Sequence, residues 1–236
     1  MLKFVYNNPM SIVNKNLWAL FEYNGGTFYV TQTLLSTWIV MAVLIVFALI
    51  VRLRLPYFKS VPGRFQNVIE TLVETMSNFA KSTMGEGAGD FGGYFFAVFA
   101  FIIISNYSAL IGLRPPTADL STTAALALST FALTHITGIR IAKGKYFKEY
   151  FSPNFIFFPI NLVGEIAKPI SLSFRLFGNM LGGVIIIGLV YNMLPVALRF
   201  VLPDVLHAYF DVFVGALQAF IFTVLSMTFI SQKAVK

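Results

Sequence analysis

The stretch SLSFRLFGNMLGG, residues 171–183, places Arg175 inside an apolar run, fenced by Leu172, Phe174, Leu176 and Phe177. An unpaired guanidinium at bilayer depth is disfavoured by roughly 3 to 10 kcal/mol or more. A charge kept there implies either a partner or a use. Lys168, Ser171, Arg175, Asn179 and Gly182 recur every three or four residues. A helix would carry all five on one face. Glu165 lies one turn before Lys168 and can pair with it. Gly178 and Gly182 form a G-x-x-x-G, which admits a second helix at close range.

A second polar face follows near the C-terminus, where His207, Asp211, Gly215, Gln218 and Phe222 step along one side of another apolar helix. A carboxylate and an amide in such a helix must face a partner helix or a water-filled cavity. The two polar faces are expected to face each other. Gln218 is then a candidate to hold the Arg175 guanidinium by hydrogen bonding, and Asp211 is the alternative, as a salt bridge. His135 falls at the end of a span and reads as interfacial.

Other chemistry is excluded. The chain has no cysteine, so neither disulfides nor thiolate metal sites are available. GAGDFG, residues 87–92, fits G-x-G-x-x-G but follows an amphipathic helix rather than a strand, so it reads as a loop. AKGKYF lacks the Ser or Thr that a phosphate-binding loop needs after its lysine. With no triad and no metal constellation, the chain is expected to do no covalent chemistry and to need no cofactor.

The elements that position these faces follow from composition. The chain is 57% apolar and only 11% charged, against about 25% charged in soluble domains. The N-terminus lacks the basic-then-apolar layout of a cleavable signal peptide. Apolar runs give spans at 31–51, 94–113 and 120–139. Residues 62–84 read as an interfacial amphipathic helix too polar to cross. A long segment at 154–192 and a last helix at 204–230 complete a single all-α integral membrane domain over 1–236. As one helix the long segment reaches ~58 Å, against a ~30 Å hydrocarbon core. It is therefore either one strongly tilted helix or two short spans turning near Pro169. Counting Lys and Arg decides. One crossing gathers the basic residues of 52–81, 140–148 and 233–236 on one side, and two crossings weaken that asymmetry. The expectation is five crossings, with the N-terminus outside, the C-terminus in the cytoplasm and the last two helices forming a tilted hairpin. The formal charge of +7 belongs to span flanks, so no nucleic-acid partner is expected.

SLSFRLFGNMLGG with LQAFIFTVLSMTFIS downstream and PPTADLSTTAALAL upstream resembles subunit a of the bacterial F-type ATP synthase membrane sector. The similarity runs over nearly the whole chain, and R-L-x-G-N followed by L-Q-A-F is specific. The resemblance implies that Arg175 is the stator charge facing a rotating ring of c subunits, with Gln218 close by. It implies that Asn179 belongs to the same motif and that Asp119 is the acid of the P-x-A-D stretch. Partners implied are the c ring, the peripheral-stalk b subunits, the rest of the synthase and the bilayer, in the bacterial cell membrane.

Two positions depart from the common pattern. Val184 stands where many bacterial relatives have a glutamate, and Asp211 where some have a histidine, as though a carboxylate had moved between helices across one cavity. Ser121 also replaces an asparagine that often follows P-T-A-D-L. On this reading Asp211, Glu165 and other polar residues, with His207, Lys168 and Ser171 on the same faces, line two offset half-channels for H+ or Na+. The alternative is a stand-alone secondary transporter using Arg175 as substrate or coupling charge; the absence of visible internal repeats argues against it.

Overall fold

The computed structural model describes residues 16–23, 26–85, 91–143, 146, 151, 154–193 and 202–234. The described residues begin with a hairpin that the all-α expectation did not include: β1 (Asn16–Tyr23) pairs antiparallel with β2 (Gly26–Thr31). The signal was present, because GTFYVT is rich in β-branched and aromatic residues and follows Asn-Gly, a residue pair favoured in tight turns. Among the described residues everything else regular is helical. The helices are α1 (Gln32–Arg54), α2 (Arg64–Met84), α3 (Gly92–Tyr107), α4 (Leu120–Ala142) and α5 (Phe158–Met193). Then α6 (Leu202–His207), a π-helical segment (Ala208–Val214) and α7 (Gly215–Ala234) follow one another without a break. Five of the resulting helices are long and apolar enough to cross a membrane. Residues 87–90 of the GAGDFG stretch, most of the basic loop after α4, and Lys3, Lys15, Arg199 and Lys236 lie outside the described residues, while Gly92 at the end of that stretch is the first residue of α3.

Local chemistry sets the boundaries. Past α3 the chain tightens into a 3-10 turn (Ser108–Ile111) and stops at Gly112, whose φ of 76° is the left-handed conformation that favours glycine. Asp119 starts α4: its carbonyl accepts from Thr123 N–H (3.2 Å) and its Oδ1 from Ser121 N–H (3.0 Å). Its other oxygen accepts from Thr33 Oγ1 at 2.9 Å, which ties α4 to the first turn of α1. The long segment is one helix of 36 residues that runs straight through Pro169.

The described residues form two compact units, each assembled from three stretches of chain. The first holds Met1–Val46, Phe101–Thr123 and Leu176–Ala219. Its apolar contacts include Ala118, Met180 and Val184. At its centre is a polar knot: Asn106 Nδ2 donates to Gly215 O (2.9 Å), and Thr117 Oγ1 donates to Asn106 Oδ1 (2.6 Å). Both side chains are fully buried, so each hydrogen bond is costly to break. The second unit holds Phe47–Ala100, Ala124–Arg175 and Phe220–Lys236. Ala80, Met84, Phe95, Met227 and Ile230 form its core, and Phe79 stacks on Phe220 at 5.7 Å.

Candidate functional site

The open face of α5 is the first feature. Ser171, Arg175, Gly178 and Asn179 are exposed, and Lys168 and Gly182 half-buried, while Leu172, Leu176 and Met180 on the opposite side are buried. The helical spacing thus produces the single polar face it implied. A Cβ added at Gly164, Gly178 or Gly182 would meet nothing within 4 Å. The close-packed glycines are others. Gly183 lies against Phe210, and a Cβ on Gly215 would come within 2.9 Å of the Asn106 Cβ. Among the described residues the G-x-x-x-G of α5 seats no helix of this chain.

Arg175 lines an open groove of about 250 Å³ with Gly164, Ala167, Lys168, Ser171, Leu172, Leu225 and Phe229. Among the described residues it has no hydrogen-bond or ion-pair partner. Both partners expected for it are engaged elsewhere. Gln218 Oε1 accepts from Asn179 Nδ2 at 2.7 Å, and Asp211 is bonded to His207 Nδ1 at 2.5 Å. Asn179 follows Arg175 by one turn of the same helix and is the residue that takes up Gln218. The amide nitrogen of Gln218 is buried and has no partner among the described residues.

His207 and Asp211 sit where α6 passes into the π-helical segment. A π turn widens the helix by one residue and is frequent at functional positions. Here Gly215 N–H reaches back five residues to Phe210 O, and Gly215 O receives Asn106. Asp211 is 2% exposed. It and His207 line a cavity of about 40 Å³ with Gln32, Arg114, Val184 and Ile187 among others. Val184 and Asp211 thus line the same cavity. Burial lowers the Arg114 pKa from its ordinary value, against Asp119, which raises it. Gly215→Ala will push Asn106 away from the carbonyl it serves. We expect a cost of about 1–3 kcal/mol, read as a lower Tm of the solubilised protein; an unchanged Tm would show that Asn106 yields freely.

Glu165 anchors a second cluster. Its Oε1 receives both Lys168 Nζ and Lys233 Nζ at 3.0 Å, and its Oε2 is buried without a partner among the described residues. The Glu165–Lys168 pair is the one that the i, i+3 spacing implied. Lys233 was legible only as a charge near the C-terminus, and its reach across to Glu165 had no signal in the spacing. Lys168 Nζ lies over the Phe229 ring (5.6 Å) and Lys233 Nζ over that of Tyr146 (5.4 Å). His135 joins by a hydrogen bond to the Tyr146 hydroxyl and edge-to-face packing on Phe131. It is therefore joined to this cluster through Tyr146. Asp119 is found as a helix cap and tie to Thr33, a role that accounts for both of its oxygens. Asn106 and Thr117 were not singled out, although an asparagine inside the apolar IIISNYSAL is a visible polar signal.

No group of three His, Asp or Glu side chains that could hold a metal ion occurs among the described residues. The arrangement offers charge, hydrogen bonds and small cavities.

Residues 34–231 match the family model described as ATP synthase A chain. The chain is 36% identical over 215 residues to ATP synthase subunit a 1 of Syntrophotalea carbinolica, covering 89% of this chain and 87% of that one. It is 37% identical over 220 residues to ATP synthase subunit a, sodium ion specific, of Propionigenium modestum, covering 86% and 74%. Against ATP synthase subunit a of Moorella thermoacetica it is 34% identical over 212 residues, covering 89% and 94%.

Proposed function

The chain belongs to the ATP synthase A chain family, and from that premise we propose how its residues carry ions past a rotating ring. It is the non-catalytic stator subunit of the F-type ATP synthase, a membrane protein through which ion flow is coupled to ATP synthesis. The family leaves the stand-alone transporter without support.

The observation that carries the residue-level proposal is Arg175: an exposed guanidinium, without a partner among the described residues, on a helix face that also carries the small residues Gly164, Ala167, Ser171 and Gly178. Such a face accepts a second helix closely, and the helix we assign to it is that of a c subunit. A ring carboxylate facing lipid must be neutral, because charge there is costly. Beside Arg175 its ionised form is favoured, so it releases H+ or Na+. Arginine suits the task because it stays protonated in a low-dielectric site.

The His207–Asp211 cavity supports one half-channel, and the Glu165–Lys168 cluster with Ser171 the other. The buried amide of Gln218, held by Asn179, supports a role in fixing the Arg175 region of α5. Each charge moved down 100 mV supplies ~2.3 kcal/mol, which the ring converts to torque. The b subunits of the peripheral stalk would keep this chain from turning with the ring. Its place is the bacterial membrane, with the N-terminus outside and the C-terminus in the cytoplasm.

Two serines test the docking face. Ser171 is exposed and Ser173 is 5% exposed on the opposite side, and the chain has no native cysteine. In the assembled complex Ser171→Cys will form disulfide cross-links to cysteines placed along the outer c-subunit helix, and Ser173→Cys will form none. Equal cross-linking from both, or none from Ser171→Cys, would remove this face from the ring contact.

A further inference from the structure

The first span ends in a cationic elbow that the ion route does not use. Arg52 and Arg54 close α1, a 3-10 turn (Leu55–Tyr57) follows, and Lys59 precedes Arg64, the first residue of α2. The elbow is locked by Gln66. Lys59 N–H donates to Gln66 Oε1 (3.0 Å), and Gln66 Nε2 donates to Lys59 O (2.8 Å) and to Glu70 Oε1 (2.8 Å). Arg54 lies over the Phe65 ring at 5.9 Å, joining the last turn of α1 to the first turn of α2.

All four cations are exposed, and none has an acidic partner among the described residues. Between them stand Leu53, Tyr57 and Val61, which are 72%, 78% and 81% exposed. Helix electrostatics account for only half of this. Arg52 and Arg54 complement the C-terminal dipole of α1, but Arg64 opens α2, where the dipole disfavours a cation and no acid offsets it. A locked loop that presents cations and apolar side chains together fits a ligand with a phosphate and an acyl chain.

Position favours lipid over a protein partner. Only 11% of the most apolar stretch of α1 is buried among the described residues of this chain, so this chain leaves most of that apolar helix uncovered. The elbow is its direct continuation and meets the membrane at headgroup depth. A cluster of four or more Lys and Arg just beyond a span is also the pattern that attracts anionic lipid.

We propose that Arg52, Arg54, Lys59 and Arg64 form a binding surface for anionic phospholipid headgroups, with Leu53, Tyr57 and Val61 inserted among the acyl chains. The surface uses no residue of the ion route, so its test is independent of the transport mechanism.

The complete synthase is reconstituted into phosphatidylcholine vesicles containing phosphatidylglycerol. The fraction of spin-labelled phosphatidylglycerol immobilised on the protein is compared with that of spin-labelled phosphatidylcholine. We expect the native complex to prefer phosphatidylglycerol, and the preference to fall by about half or more when all four cations are changed to Gln and when salt is raised. The Lys-for-Arg versions of the three arginines will keep it. An identical preference in the Gln variant overturns the proposal, as does a native complex with no preference. If the Gln variant instead loses other subunits on purification while its lipid preference stays native, the elbow is a protein interface and the lipid reading fails. Should the quadruple variant not assemble, Arg52→Gln and Arg64→Gln singly are read the same way: an unchanged preference in both overturns the proposal.

Discussion

Arg175→Ala abolishes ATP-driven ion uptake into inverted membrane vesicles while the complex still assembles. This is the largest effect we expect. The side chain is exposed and makes no hydrogen bond or ion pair among the described residues, so its removal takes away no packing or internal bond of this chain. The loss is electrostatic. Without the guanidinium nothing favours the ionised form of a ring carboxylate at that point, and the reason for ions to leave and reload vanishes. Uptake falls to background. Arg175→Lys keeps a charge but loses the planar fork and permanent protonation, since a lysine in a dry site readily gives up its proton. Uptake in that variant drops by at least about tenfold. Near-native uptake in either variant, with assembly matched by subunit composition, would make Arg175 a surface residue of no mechanistic consequence.

The second large effect concerns the acid of the His207–Asp211 cavity. Asp211→Asn keeps the shape and a hydrogen bond to His207 but removes the carboxylate, and we expect uptake to slow by about tenfold without uncoupling. The stronger test is restoration. Val184 lines the same cavity, on the facing helix, at the position where the resemblance read from the sequence implies a glutamate. Adding Val184→Glu to Asp211→Asn puts an acid back into the cavity from the other wall, and we expect uptake to return to within about threefold of native. Two residues that share a cavity are coupled, so the pair will not behave additively. If Val184→Glu leaves the slowed rate unchanged, an acid in this cavity is not what the route requires. If Asp211→Asn has no effect, the cavity is not on the route.

The open face of α5 was legible because helical periodicity is local. Spacing at three and four residues puts Lys168, Ser171, Arg175 and Asn179 together whatever surrounds the helix. The Glu165–Lys168 pair follows from the same geometry. Length and hydropathy were equally informative: apolar runs able to span a bilayer stand out against any soluble composition, and five such helices occur among the described residues. The hairpin at residues 16–31 was missed because its short alternating pattern lay next to a far stronger span.

The sequence by itself determined which residues are chemically unusual and which side of their own helix they occupy. Those properties depend only on residue type and on 3.6 residues per turn. Partnership is different, because it depends on where other helices pass. Gln218 and Asp211 were both open candidates for Arg175, and only the tertiary structure assigned the first to Asn179 and the second to His207. Only it brought Lys233 to Glu165 across 68 residues of chain, and placed Val184 and Asp211 on one cavity. It also left Gly178 and Gly182 bare while packing Gly183 and Gly215. A motif states how closely a neighbour can approach; whether this chain supplies that neighbour is decided by the packing of the whole, and around Arg175 it leaves the place open.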